Sequence, residues 1–333
     1  MATFDPTNPR FKGFDLIQAT YKRISNHAIR VDVLVPQTPA TAERPTIVRF
    51  HGGGLVMADS LYHDFWPQWL SDLALSHNAI IVSPNYRLMP QATSLEIYDD
   101  IEDFWAWLKS PAFSGLLSTH NTPTQADLDR ILVSGESAGG LLSVNTSLTH
   151  ASEIRATIAL YPSLDPSAPE FSETRGKERL PFGLSTPETV IDEALAKAAI
   201  PECGPVSSLI QPDWLGVMCA AIEHGKIGAW YVRGSEGSGR QDLLFPVRRL
   251  EGPDVGIPRG GITVIHGAQD SVVPVAHPVP FVERARQVFK GRPGGDRIAM
   301  VVHEGEHGFD TGVRYEEPWM KEALSTAVEA WLE

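Results

Sequence analysis

Six short apolar runs punctuate the chain: TIVRF (46–50), AIIVSP (79–84), ILVSG (131–135), TIALYP (157–162), ITVIHG (262–267) and RIAMVV (297–302). Each is apolar on both faces, as strands buried inside a parallel sheet are. Between them the hydrophobic period changes to that of a helix. Leu95, Tyr98, Ile101, Trp105 and Leu108 share one face of 95–109, with Ser94 as the expected N-cap. Phe281, Ala285, Val288 and Phe289 do the same in 281–289, and Met320, Ala323, Leu324, Ala327, Val328 and Trp331 in 318–332. Strands alternating with helices predict an α/β fold with a mostly parallel sheet covered on both faces. Ahead of it, residues 17–36 read as an antiparallel hairpin turning at Ser25-Asn26-His27. Residues 1–14 have little periodicity and read as a loose arm or part of a lid.

The alternation stops between about 164 and 258, a stretch rich in Pro and Gly. It holds two helical candidates, one starting at Thr186-Pro187 and one over about 213–224 that ends at Gly225. We read it as a lid or cap inserted above the carboxyl edge of the sheet, where ligands sit in open α/β folds. The whole chain, 1–333, is then one catalytic domain with an insertion.

Composition narrows the function classes. With 42% hydrophobic residues a packed core is expected, and 28 Lys and Arg against 41 Asp and Glu give a net charge of −13. That acidity argues against nucleic-acid or anionic-membrane partners. Two cysteines, Cys203 and Cys219, make neither a C-x-x-C pair nor a disulfide scaffold. No apolar stretch reaches the roughly 18 residues of a membrane span. The expected location is the cytoplasm.

Residues 135–139, GESAG, match G-x-S-x-G directly between an apolar strand and a helix. Alone the pattern also fits a plain glycine turn. In this context Ser137 would sit on a sharp turn, with Gly135 and Gly139 removing Cβ atoms that would clash. The helix N-terminus behind it favours negative charge. Residues 50–54, FHGGG, again follow a strand. Consecutive glycines let backbone N–H groups approach a ligand, and an acyl-transfer enzyme needs such donors for the oxyanion of its tetrahedral intermediate. The candidates are the amides of Gly53, Gly54 and Ala138. A phosphate-cradling P-loop would need a following Lys, which is absent.

HGGG at 51–54, NYRLMP at 85–90, GESAGG at 135–140 and EHGF at 306–309 together resemble the hormone-sensitive-lipase-like branch of the α/β-hydrolases. The resemblance covers roughly 45–163 and 260–333; it departs at Glu136, where Asp is usual, and in the length of the insertion. It implies an eight-stranded sheet, a lid and a Ser–Asp–His triad in that chain order.

In that order the acid ends a strand after Ser137 and the histidine comes last. Asp270 follows ITVIHG, and His307 follows the last strand. Asp310 is a rival acid. His303 and His266 read as core histidines, His277 as surface, and Asp99, Asp100 and Asp103 as the solvated face of a helix. His303-Glu-Gly-Glu-His307 also matches the zinc signature H-E-x-x-H, which works only on a helix; the preceding IAMVV favours a strand and Gly305 opposes a helix. No metal and no cofactor are expected.

The parts together predict cleavage of a carboxylic ester or thioester through an acyl-Ser137 intermediate. The acyl group should be small or medium, since the insertion looks too irregular to expose a lipid-binding face. Leu55, Tyr62, Trp214 and Phe309, with Trp66 and Trp69, are candidate pocket aromatics and apolar groups, although core packing explains most of them as well. The partner is a small-molecule acyl substrate, with an acyl-carrier protein or CoA-type donor as an open alternative. So is an alcohol acceptor, which would make an acyltransferase or lactone-forming enzyme, as in fungal polyketide pathways. A non-catalytic receptor on the same scaffold is the reading of a different class; the presence of both Ser137 and His307 argues against it.

Overall fold

The computed structural model describes residues 4–197, 204–210 and 213–333. Eight strands, β1 (Phe14–Ile24), β2 (His27–Pro36), β3 (Arg44–Phe50), β4 (Ile80–Pro84), β5 (Ala126–Glu136), β6 (Ala156–Leu160), β7 (Ile262–Gly267) and β8 (Ala299–His303), form one sheet in the order β1-β2-β4-β3-β5-β6-β7-β8. β1 and β2 pair antiparallel, as does β2 with β4, and every other pair is parallel. Around the sheet lie α1 (Gln68–Ser76), α2 (Ser94–Leu108), α3 (Pro111–Ser118), α4 (Ala138–Thr149), α10 (Val279–Val288) and α11 (Pro318–Leu332). The segment between β6 and β7 carries α5 (Pro169–Ser172), α6 (Thr189–Lys197), α7 (Asp213–Glu223), α8 (Lys226–Val232) and α9 (Pro246–Arg249).

Alternate strand residues explain the two apolar layers. Ile47, Ile81, Leu132 and Ile158 pack with Trp69, Leu73, Leu324 and Trp331 of α1 and α11. Their neighbours Val48, Val82, Val133 and Ala159 face the opposite side, with α2, α4 and α10. Both faces are buried at β3 to β7, which is why those strands read as unbroken apolar runs; β8, at the sheet edge, is only half-buried, with Val302 52% exposed, against the expectation for 297–302.

Strand register sets the site. Phe50 is the partner of Gly135, Glu136 of Leu160, and Gly267 of His303. The loops after β3, β5, β6, β7 and β8 therefore leave the same edge at one level. The glycine loop, Ser137, Asp270 and His307 lie on four of those five.

Four local expectations need correction. The N-cap of α2 is Thr93, one residue before the expected Ser94. Its hydroxyl accepts from the Glu96 N–H (3.3 Å) while Glu96 Oε2 accepts from the Thr93 N–H (2.8 Å), so the spacing to Glu96 selects Thr93. Residues 4–13 are no loose arm: Phe11 is buried 5.1 Å from the Trp66 ring, and Arg10 Nε donates to Trp66 O (2.7 Å). Asp100 is fully buried, where it accepts from Arg87 Nε (2.8 Å) and pairs with Lys22 (2.7 Å); Asp103 remains exposed. The His277 side chain is 3% exposed and links Glu170 (2.6 Å) to the Asp165 N–H (2.9 Å), so it is no surface residue.

The hairpin turns at Ser25 and Asn26, with Ser25 at φ 53°. The helix expected from Thr186-Pro187 begins at Thr189, and α7 stops before Gly225, whose φ is +66°. Cys219 is buried in α7, where burial pushes its thiol up to about 11; Cys203 lies outside the described residues. Among the described residues no helix is long and apolar enough to cross a membrane.

Candidate active site

β5 delivers Ser137 and α4 starts immediately after it. Ser137 adopts φ 56°, ψ −117°, a backbone conformation that costs a non-glycine residue about 1–3 kcal/mol and persists only where its surroundings enforce it. Here the Ser137 N–H is held by Leu160 O (2.8 Å) and α4 crosses β3 so closely that a Cβ on Gly139 would lie 2.0 Å from Phe50 O. The side chain is thereby pushed out of the sheet edge toward the space beneath the cap.

The glycine loop runs beside it. Gly53 and Gly54 have φ +101° and +64°, and a Cβ on Gly53 would lie 2.3 Å from Met57 O. The loop is pinned from below by Tyr86, whose hydroxyl donates to His51 O (2.5 Å) and whose ring stacks on the His51 imidazole at 4.3 Å. Burial pushes the His51 imidazole down to about 4, so it is neutral and its Nδ1–H donates to Gly52 O (2.8 Å). The N–H groups of Gly53, Gly54 and Ala138 have no protein acceptor among the described residues.

Asp270 and His307 meet between the loops after β7 and β8, and His307 lines a cavity with Ser137. His307 Nδ1 donates to Asp270 Oδ2 (2.8 Å), and Asp270 Oδ1 accepts from the N–H groups of Val272 (2.9 Å) and Val273 (2.7 Å). Burial alone would raise the Asp270 carboxyl. The donors on it, His266 and His307 foremost, outweigh burial and hold it well below the usual carboxylate range. The rival Asp310 is fully buried with both oxygens occupied, by Tyr161 Oη (2.7 Å) and Trp69 Nε1 (2.8 Å).

Ser137 lies at the border of two cavities. The larger, about 220 Å³, is lined by Gly52, Gly53, Tyr161, His307 and, from the cap, Phe182, Leu215 and Met218. The smaller, about 20 Å³, is lined by Gly54, Leu55, Ala138, Phe171, Met218, Ile222 and Val273. Of the pocket residues expected from sequence, only Leu55 reaches either cavity. Trp214 is buried within the packing of α7, Tyr62 packs on Phe65 (4.9 Å), and Phe309 stacks on His303 (5.6 Å). Each is an aromatic that core or surface packing absorbs. Trp66 and Trp69 are fully buried, Trp66 beneath the Arg49 guanidinium (4.4 Å).

Sequence reading missed Tyr161, whose ring lies 4.5 Å from that of His307, and the buried pair Arg49–Glu136 (2.9 Å). Burial pushes the Glu136 carboxyl up to about 7 against the pull of Arg49. The H-E-x-x-H histidines do not share a helix face. His303 ends β8 and stacks on Trp319 (4.0 Å), whereas His307 is in the following loop on Asp270.

A family model described as alpha/beta hydrolase fold matches residues 47–216. The "Probable carboxylesterase M8" of Phoma sp. is 30% identical over 335 residues, covering 98% of this chain and 99% of its own. The chain belongs to the α/β-hydrolase family. Within it, this hydrolase is of the carboxylesterase type, in the hormone-sensitive-lipase-like branch. The "Probable carboxylesterase clz11" of Cochliobolus lunatus is 31% identical over 62% of this chain and 92% of its own. Among solved structures, a thermostable esterase from Pseudomonas putida aligns with a TM-score of 0.59 at 19% identity, over 97% of this chain and 84% of that one, a likeness of fold.

Proposed function

We propose that this hydrolase cleaves esters or thioesters of small acyl groups through an acyl-Ser137 intermediate. The observation that carries the reading is one convergence: a strained serine that lines one cavity with His307 and Gly53 and a second with Gly54 and Ala138, the three N–H groups of Gly53, Gly54 and Ala138 having no acceptor among the described residues.

Each part has a role that its chemistry dictates. His307 takes the Ser137 proton as the hydroxyl attacks the acyl carbon, and later gives it to the leaving group. Asp270 fixes the Nδ1–H tautomer and stabilises the imidazolium. The oxyanion falls to the amides of Gly53, Gly54 and Ala138, backed by the N-terminus of α4; one such donor is typically worth about 10²–10³ in rate. Water, activated by His307, then attacks the acyl-enzyme.

Cavity sizes support one orientation of the substrate. The leaving group must be near His307, which protonates it, and so occupies the 220 Å³ cavity. The acyl chain takes the other side, beside Gly54 and Ala138, where about 20 Å³ remains. That is room for roughly one or two water-sized groups, so acetyl and propionyl esters fit and long chains do not.

A series of p-nitrophenyl esters tests this. The kcat/KM should be highest for acetate and propionate and fall about tenfold or more by octanoate, with Met218→Ala moving the optimum to longer chains. Product masses read with hydroxylated acceptors present would show free acid. Preference for long-chain esters, or acyl transfer in place of hydrolysis, would overturn the reading.

A further inference from the structure

Asp270 serves two imidazoles. His266, on β7, is fully buried, and its Nε2 lies 2.8 Å from Val273 O and 3.3 Å from Asp270 Oδ2, the same oxygen that accepts from His307 Nδ1. A carbonyl oxygen only accepts, so Nε2 carries the hydrogen. The other nitrogen, Nδ1, is buried without a partner among the described residues. A proton there would be an unsatisfied buried donor on a buried cation. The geometry therefore puts the N–H on Nε2, donated to Val273 O with the carboxylate oxygen 3.3 Å away.

We propose that His266 is a positioning residue for the triad: its N–H takes the second lone pair of Asp270 Oδ2, fixing that oxygen's direction and dividing its charge between two imidazoles. This rests on the acyl-Ser137 reading for its catalytic meaning. With the Val272 and Val273 amides on Oδ1 and His307 on Oδ2, the carboxylate accepts three hydrogen bonds and has His266 Nε2 at 3.3 Å as a fourth close contact. A carboxylate so engaged stabilises the His307 imidazolium less than one bonded to His307 alone. The free base that accepts the Ser137 proton is thereby present at lower pH.

Other groups around the relay are few. Tyr161 from the end of β6 lies 6.5 Å from the His266 ring and 4.5 Å from that of His307; burial keeps its phenol un-ionised. Glu306 accepts from the His307 backbone N–H (2.7 Å) and Asp310 is behind Tyr161. Glu136 lines the same cavity as His307, and from the cap Arg175 donates to Ser271 O (2.7 Å) and Val272 O (2.7 Å). None of them bonds Asp270 Oδ2.

The test compares His266→Leu, which removes the donor, with His266→Gln, whose amide restores a donor near Nε2. In His266→Leu the acid-side midpoint of kcat/KM should move up by about half a pH unit, roughly a threefold loss on that limb. His266→Gln should return most of the shift. An unmoved midpoint in folded His266→Leu, or an equal shift in both variants, overturns the proposal. ¹⁵N spectra of the intact protein give a second readout that needs no variant and no activity. The His266 hydrogen should be on Nε2 in the resting protein; an Nδ1–H tautomer overturns the assignment. Failure of the acyl-Ser137 reading would instead appear as absent hydrolysis by the wild-type chain, with the His266 resonances unaffected.

Discussion

At Gly139 a Cβ would stand 2.0 Å from the carbonyl oxygen of Phe50, and at Gly135 one would stand 2.3 Å from Gly139 O. Alanine is about 1 kcal/mol better than glycine inside a helix, so propensity alone would favour Gly139→Ala. The clash decides otherwise, because Phe50 is locked in register with Gly135 and neither strand can yield alone. Gly139→Ala should lose about 4 kcal/mol or more, or fail to fold, as read by urea unfolding. Gly115→Ala in α3, where a Cβ meets nothing within 4 Å, should instead gain a few tenths to about 1 kcal/mol. Gly135 and Gly139, with Ser137, were legible in the sequence because their constraint is local, a strand turning into a helix. His266 and Tyr161 were not. The Tyr161–Asp310 bond spans 149 positions, and a polar residue at the end of an apolar run looks the same whether it fills the core or braces a neighbour's imidazole.

At the scale of elements, the sheet was readable because every central strand is buried on both faces, while the cap was readable only as an interruption. Its helices are short and pack on one another and, through α8 and α9, on α2, α4 and α10, so none is long enough to show a clear periodic face in the sequence. Arg175 shows how the attachment is made. Its guanidinium is buried and donates to the carbonyl oxygens of Glu170 (2.8 Å), Arg179 (3.3 Å), Ser271 (2.7 Å) and Val272 (2.7 Å). Burial lowers it to about 10, still protonated at neutral pH. It binds no carboxylate among the described residues; it ties the cap to the loop that carries Asp270. Arg175→Met should cost about 2–4 kcal/mol through the carbonyls left behind and expose the cap to limited proteolysis, with Arg175→Lys intermediate. A cap as resistant to cleavage as the wild type's would contradict the assignment.

Over the whole molecule, distant parts of the sequence meet because strand register brings five loops to one edge. β3 and β5 bring the glycine loop to Ser137, and β7 and β8 bring Asp270 to His307. The four motifs are separated in sequence but stand at equivalent ends of neighbouring strands, which is why their order along the chain was informative. The cap then divides the space above Ser137 into unequal halves, a property of the assembled molecule that no single segment encodes.

Ser137 is proposed as the nucleophile of this assembly. Treatment with a fluorophosphonate, followed by intact mass and peptide mapping, tests it most directly. One adduct per chain on Ser137, forming at least about a hundredfold more slowly in His307→Ala, is the predicted result. A folded protein that takes no adduct, or takes it on another residue, would contradict it.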